Sequence, residues 1–142
     1  MAYNQEASLT AFSDRIVLSD DTVIRYQEPV LKTVTFTDGT STSGEVDVRG
    51  YRVAGLIMPS AWTTSALSFQ NATVTGGTFI NVYNDGGAEV SIASAVANTY
   101  IAIDTIASAL SCLQFIKVRS GLAAAPANQT GGDVLTLVLF AL

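Results

Sequence analysis

VLTLVLFAL, the stretch Val134–Leu142, decides the fold. Read with the two-residue period of a strand, it sets Val134, Thr136, Val138 and Phe140 on one face. Leu135, Leu137, Leu139 and Ala141 fall on the other. Nine residues are enough for a strand, whereas a membrane-spanning helix needs about 20. A strand at the surface of a lone sandwich shows one polar face. Neither face here is polar beyond Thr136. One face therefore belongs to the core and the other needs a second cover, either an intrachain segment such as Asp104–Leu110 or another subunit.

The same period recurs upstream. Val30–Phe36 (VLKTVTF) sets Val30, Lys32, Val34 and Phe36 against Leu31, Thr33 and Thr35. Asp14–Ser19 and Thr22–Gln27 flank Asp20-Asp21 as a hairpin would, and TDGTSTSG (Thr37–Gly44) reads as a loop. Glu45–Arg49, Tyr51–Met58, Ser65–Asn71, Thr78–Tyr83, Ala88–Ala93, Thr99–Ile103 and Leu113–Arg119 are further strands. Between them stand turn signals such as Gly76-Gly77 and Asn84–Gly87. Gly50 and Gly55 mark bulges or close strand approach. Asp104–Leu110 is the one helical pattern, with Asp104 placed to cap it and Ile106 and Leu110 four residues apart. The pattern predicts an all-β protein, an antiparallel β-sandwich or jelly-roll-like barrel with at most one short helix. Residues 13–142 make one such domain, a size usual for a single core. Residues 1–12 form an amino-terminal arm carrying Leu9 and Phe12 as anchors.

Composition narrows the function. Apolar residues are 49% of the 142 and charged ones 13%, against a usual quarter, which excludes disorder. The few charges are also uneven. After Arg52 the chain holds only Asp85, Glu89, Asp104, Asp133, Lys117 and Arg119. So sparse a set makes a poor lone surface. Ser, Thr, Asn and Gly solvate part of this region, and other subunits cover the rest. A net charge of −5 without a basic cluster speaks against nucleic acid and anionic membrane as partners. The start, MAYNQEASLT, lacks the basic and apolar regions of a secretory signal.

Chemistry meets an early obstacle, because the chain has no His. The common triads and the commonest metal ligand are thereby removed, and no enzyme activity is expected. Cys112 stands alone, too few for a zinc site, and reads as a small core residue. Asp20-Asp21 reads as a solvated turn. Asn84-Asp85-Gly86-Gly87 lacks the alternating oxygens and terminal Glu of a calcium loop. Neither metal nor cofactor is expected. Trp62, the single Trp, is a core or subunit-contact residue, or else a sugar-stacking face with Tyr51 or Tyr83.

GYRVAGLIMPSAWTTSALSFQ (Gly50–Gln70), then GGTFINVYNDGGAEVSI and FIKVRSGLAAAPANQTGGDVLTLVL, resembles small virion proteins of tailed bacteriophages and prophages over about residues 50–141. The resemblance implies a structural protein of the particle, most like a capsid decoration (cement) protein. Such proteins bind the outside of an expanded shell, bridge major capsid subunits, and are often dimers or trimers. The expected location is therefore the virion, and the expected partners are further copies of the chain and the major capsid protein. Trp62, Leu135, Leu137 and Leu139 are the expected oligomer contacts. Leu9, Phe12, Arg49, Tyr51 and Arg52 are the expected capsid contacts. A tail, baseplate or fibre component, or a carbohydrate-binding module with a glycan partner, are the alternatives.

Overall fold

The computed structural model describes residues 15–17, 23–25 and 28–142. In chain order the strands are β1 Arg15–Val17, β2 Val23–Arg25, β3 Val30–Thr35, β4 Val46–Asp47, β5 Tyr51–Ile57, β6 Ser65–Ala72, β7 Ile80–Asn81, β8 Ser91–Ala95, β9 Tyr100–Ala102, β10 Phe115–Leu122, β11 Ala125–Pro126 and β12 Val134–Ala141. Helix α1, Ala107–Leu110, lies between β9 and β10. All pairings are antiparallel, as the alternating pattern demands.

Three sheets result among the described residues. β1 pairs β2 with Ile16 opposite Ile24, which is the hairpin expected around Asp20-Asp21. A four-stranded sheet runs β3-β12-β5-β9. The six-stranded sheet is built on β6 and β10. On the far edge of β6 lie β7 and β8, and on that of β10 lie β4 and β11. The two larger sheets pack face to face as an all-β sandwich. The amino-terminal arm, with Leu9 and Phe12, lies outside the described residues, as does Asp20-Asp21.

The inner faces carry the expected apolar sets. From the four-stranded sheet come Val34, Val53, Leu56, Leu135, Leu137 and Leu139; Leu67, Phe69, Ile116 and Val118 come from the other. Each such side chain removed from water contributes about 1.5–3 kcal/mol. Phe36 and Trp62 meet edge to face, with centroids 5.1 Å apart at 72°. Leu110 from α1 and the neighbouring Leu113 join the same core.

Local details depart from the sequence reading at the helix start and at Cys112. The helix starts later than Asp104. Ile106 occupies its N-cap without a side-chain bond, while the Asp104 carboxylate accepts a hydrogen bond from Thr105 N–H. Cys112 is exposed rather than core. Leu110 and Leu113 take the inward positions, leaving Cys112 on the turn, where its thiol reaches Ala109 O at 3.2 Å. The segment 120–132 contains β11, which folds back on β10 through Gly121 opposite Pro126 and Leu122 opposite Ala125.

Candidate association surface

Strand register places the outer face of the four-stranded sheet residue by residue. Val134 stands opposite Thr35. Thr136 stands between Thr33 and Ile57, and Val138 between Leu31 and Gly55. Beyond Val138 the register shifts, so that Phe140 meets Arg52. Tyr100 pairs with Ile57 but lays its ring over Gly55. A Cβ added at Gly55 would sit 2.3 Å from the Tyr100 Oη. Gly55 is therefore a site of close approach beside a bulge, as its position in the pattern implied.

Exposure across this face is high for its chemistry. Leu31 is 59% exposed, Tyr100 57%, Val134 43% and Ile57 41%, and Thr33 and Thr35 are exposed between them. Val138 is buried. Arg52, lying over the Phe140 ring at 5.3 Å, is the one ionised side chain these four strands direct outward among the described residues. Lys32 falls on the inward register opposite Leu137. Its Nζ donates to Asp47 O at 2.6 Å and sits over the Tyr51 ring.

The outer face of the six-stranded sheet has the opposite character. Arg119 is buried there, and its guanidinium donates to Ser68 Oγ, Glu89 Oε1 and Asn81 Oδ1. Glu89 Oε1 also accepts from Ala123 N–H at 2.9 Å, and Gln70 donates to Asn81. Lys117 lies over Phe79 at 4.5 Å. These polar groups satisfy one another, which is the condition for burying them at tolerable cost. The charges after Arg52 thus gather on this face (Glu89, Lys117, Arg119), in the turn at Asp85, beside α1 at Asp104, or inside at Asp133.

The residues expected at an oligomer contact are placed elsewhere. Leu135, Leu137 and Leu139 have no exposed surface and Trp62 is 4% exposed, all within the chain's own core. A side chain already enclosed by its own fold has no surface to offer a neighbour, so these positions are corrected to core. The uncovered side of the same strand is the Val134/Thr136 face. Sequence alternation separated the two faces, and Thr136 was its one polar mark on the side that turns outward. The inward set follows from β12 lying between β3 and β5, whose Val34, Val53 and Leu56 share that side.

Arg49, Tyr51 and Arg52 do not form one patch. Arg49 is tied to Asp47 by an ion pair at 2.8 Å and lies over the Phe115 ring. With Glu45, Val74 and Thr75 these residues line a groove of about 650 Å³. The Arg49 side chain donates to Asp47 and holds its carboxyl down at about 2; Arg49 is raised in return. Glu45 is lowered by hydrogen bonds from Thr75 and Gly76. Tyr51 is half-buried beneath Lys32, while Arg52 reaches the outer face of the four-stranded sheet.

Burial of Trp62 removes the stacking face that a sugar platform would use. Tyr83, 53% exposed, borders a separate groove of about 530 Å³ with Ile80, Asn84 and Ser108. Among the described residues no group of three or more acidic, His or Cys side chains could hold a metal ion. No described helix is long and apolar enough to cross a membrane.

No protein-family model matches the sequence, and no curated protein does. Among solved structures, the chain is similar to the crystal structure of the SPBc2 prophage-derived protein YomS. Identity is 17% and the TM-score 0.46, over 82% of this chain and 98% of that one.

Proposed function

We propose that this chain is a non-enzymatic structural protein of a phage particle, a capsid decoration (cement) protein that binds copies of itself and a shell of major capsid protein. One observation carries the reading. The two outer faces differ in kind, one a closed polar network around Arg119 and the other an exposed sheet of Leu, Ile, Val, Tyr and Thr. Exposed apolar surface of this kind supports a protein that works by association. The resemblance of residues 50–141 to virion proteins supplies the setting. On a symmetric shell, many weak contacts acting together give high avidity without chemistry.

Labelling purified particles with an antibody to the chain, viewed by electron microscopy, tests this. Label over the head surface is the expected result. Label on the tail or fibres would replace the head assignment with a tail role, and particles free of the chain would overturn the virion reading altogether.

A further inference from the structure

We infer that the groove between the Asn84–Gly87 turn and helix α1 binds a neutral sugar, one pyranose unit of a glycan. This is a ligand site beyond the association reading, and it does not rest on that reading.

The groove is built from bonded turns and core anchors. On one side, Asn84 N–H donates to Ala88 O at 2.8 Å, and Asn84 Oδ1 accepts from Ala88 N–H at 2.9 Å. These bonds close the turn and hold the exposed Tyr83 ring beside the groove. Ser108 and Cys112 line it from α1 and the turn that follows, fixed because Leu110 and Leu113 lie in the core. Asn71 lines it from β6, held by a two-way pair. Its Nδ2 donates to Gln114 Oε1 and its Oδ1 accepts from Gln114 N–H, both at 2.9 Å. A groove of about 530 Å³ assembled this way needs little ordering before a ligand enters.

The groups left free select the ligand. Among the described residues, nothing engages the Tyr83 hydroxyl, the Asp85 carboxylate, the Ser108 hydroxyl or the Asn84 Nδ2. They offer both donors and acceptors, which suits hydroxyl groups that donate and accept in turn. Exposed Ile80 and the Tyr83 ring add an apolar bed for the C–H face of a pyranose. No Lys or Arg lines the groove, so a phosphate, sulfate or carboxylate would meet Asp85 without a counter-charge. An amine would use Asp85 alone and leave the hydroxyls and the amide idle. One carboxylate is too few for a metal ion. A single pyranose of about a dozen heavy atoms in so open a groove binds weakly, with a dissociation constant on the order of 1 mM. Many copies facing one glycan surface would add avidity.

Titration of the isotope-labelled full chain, followed by its amide NMR resonances, tests the site. The probes are the methyl glycosides of glucose, galactose, mannose, N-acetylglucosamine and rhamnose, each up to about 50 mM. At least one should move the resonances of Asn84, Asp85, Ser108 and Cys112 and approach saturation. Tyr83→Ala and Asp85→Ala, both at exposed positions, should each weaken that binding about fivefold or more. Tyr100→Ala removes an equally exposed ring from the other sheet and should leave binding unchanged. Circular dichroism verifies that the three variants fold. Silence of these resonances with all five glycosides, shifts gathered elsewhere, or wild-type binding by both groove variants overturns the inference. N-acetylneuraminic acid, which carries a carboxylate, should bind more weakly than the neutral sugar; tighter binding overturns the neutral assignment. None of these results touches the particle labelling, so the sugar site and the virion role fail separately.

Discussion

Two glycines show how differently the same missing atom can matter. A Cβ at Gly121 would meet backbone, with Ala125 O at 2.4 Å and Ala127 N at 2.7 Å, and its φ of +88° already disfavours any other residue. The β10–β11 hairpin cannot relax around it without breaking Gly121 opposite Pro126. Gly121→Ala should cost about 2–4 kcal/mol of stability. At Gly55 the obstructing atoms belong to the Tyr100 ring, the movable end of a side chain. Gly55→Ala should cost about 1 kcal/mol or less while lifting Tyr100 from the sheet. Urea unfolding of the two variants checks the contrast, and equal losses would contradict it. At the same scale, Arg119→Met would strand Glu89 beside Ala123 N–H without its cation. Removing one partner of a buried pair costs about 3 kcal/mol or more; with Glu89 only partly buried the loss should be smaller, about 1–3 kcal/mol, and the midpoint of urea unfolding should fall accordingly.

Among the elements, β4 is one of three two-residue strands, and side chains hold it as well as its ladder. Val46 and Asp47 pair with Ile116 and Phe115, Lys32 Nζ bonds to Asp47 O, and Arg49 clamps the Asp47 carboxylate. Because Arg49 lowers the Asp47 pKa from 3.8 to about 2, the folded state prefers the ionised form. The resulting contribution is fully present above pH 3.8 and is lost as pH falls through about 2. The pair is exposed, so solvent screens it and the effect is small. The stability difference between wild type and Asp47→Asn should shrink from pH 5 to pH 2; a difference that stays constant would show the clamp to be idle. Legibility also varied by element. β3 was plain from alternation, because it has one face in the core and one outside, whereas β12 was legible as a strand from its length and its almost wholly apolar run. β7 was read too long, as Thr78–Tyr83 against an observed Ile80–Asn81. Its ladder to β6 covers only Ile80 and Asn81; beyond it Val82 N–H still donates to Phe69 O, while Val82 O and Tyr83 turn to the Glu89–Val90 segment across the Asn84–Gly87 turn. The polar cluster on β6, β10 and the β7–β8 hairpin was not legible at all. Ser68, Asn81, Glu89 and Arg119 are far apart in sequence and meet only through sheet register.

At the scale of the whole molecule, the distribution of charge matters more than its sum. Each copy carries a net charge of −5, so two copies repel at long range. Ionised groups are nevertheless almost absent from the outer face of the β3-β12-β5-β9 sheet, so the proposed self-association, where it uses that face, draws on apolar burial rather than on ion pairs. Salt then acts in a sense opposite to that for an ion-paired interface. Raising sodium chloride from about 0.05 to 0.5 M shortens the screening length from roughly 14 to 4 Å, which weakens the mutual repulsion and leaves the apolar term intact. Sulfate, excluded from protein surface, strengthens burial further. Self-association followed by sedimentation should therefore hold or rise with chloride and rise clearly with sulfate at equal ionic strength. An association constant that falls steadily with either salt would mean that ion pairs hold the copies together. It would move the contact to the charged groups around Asp47 and Arg49, the exposed ion pair on the other side of the sandwich.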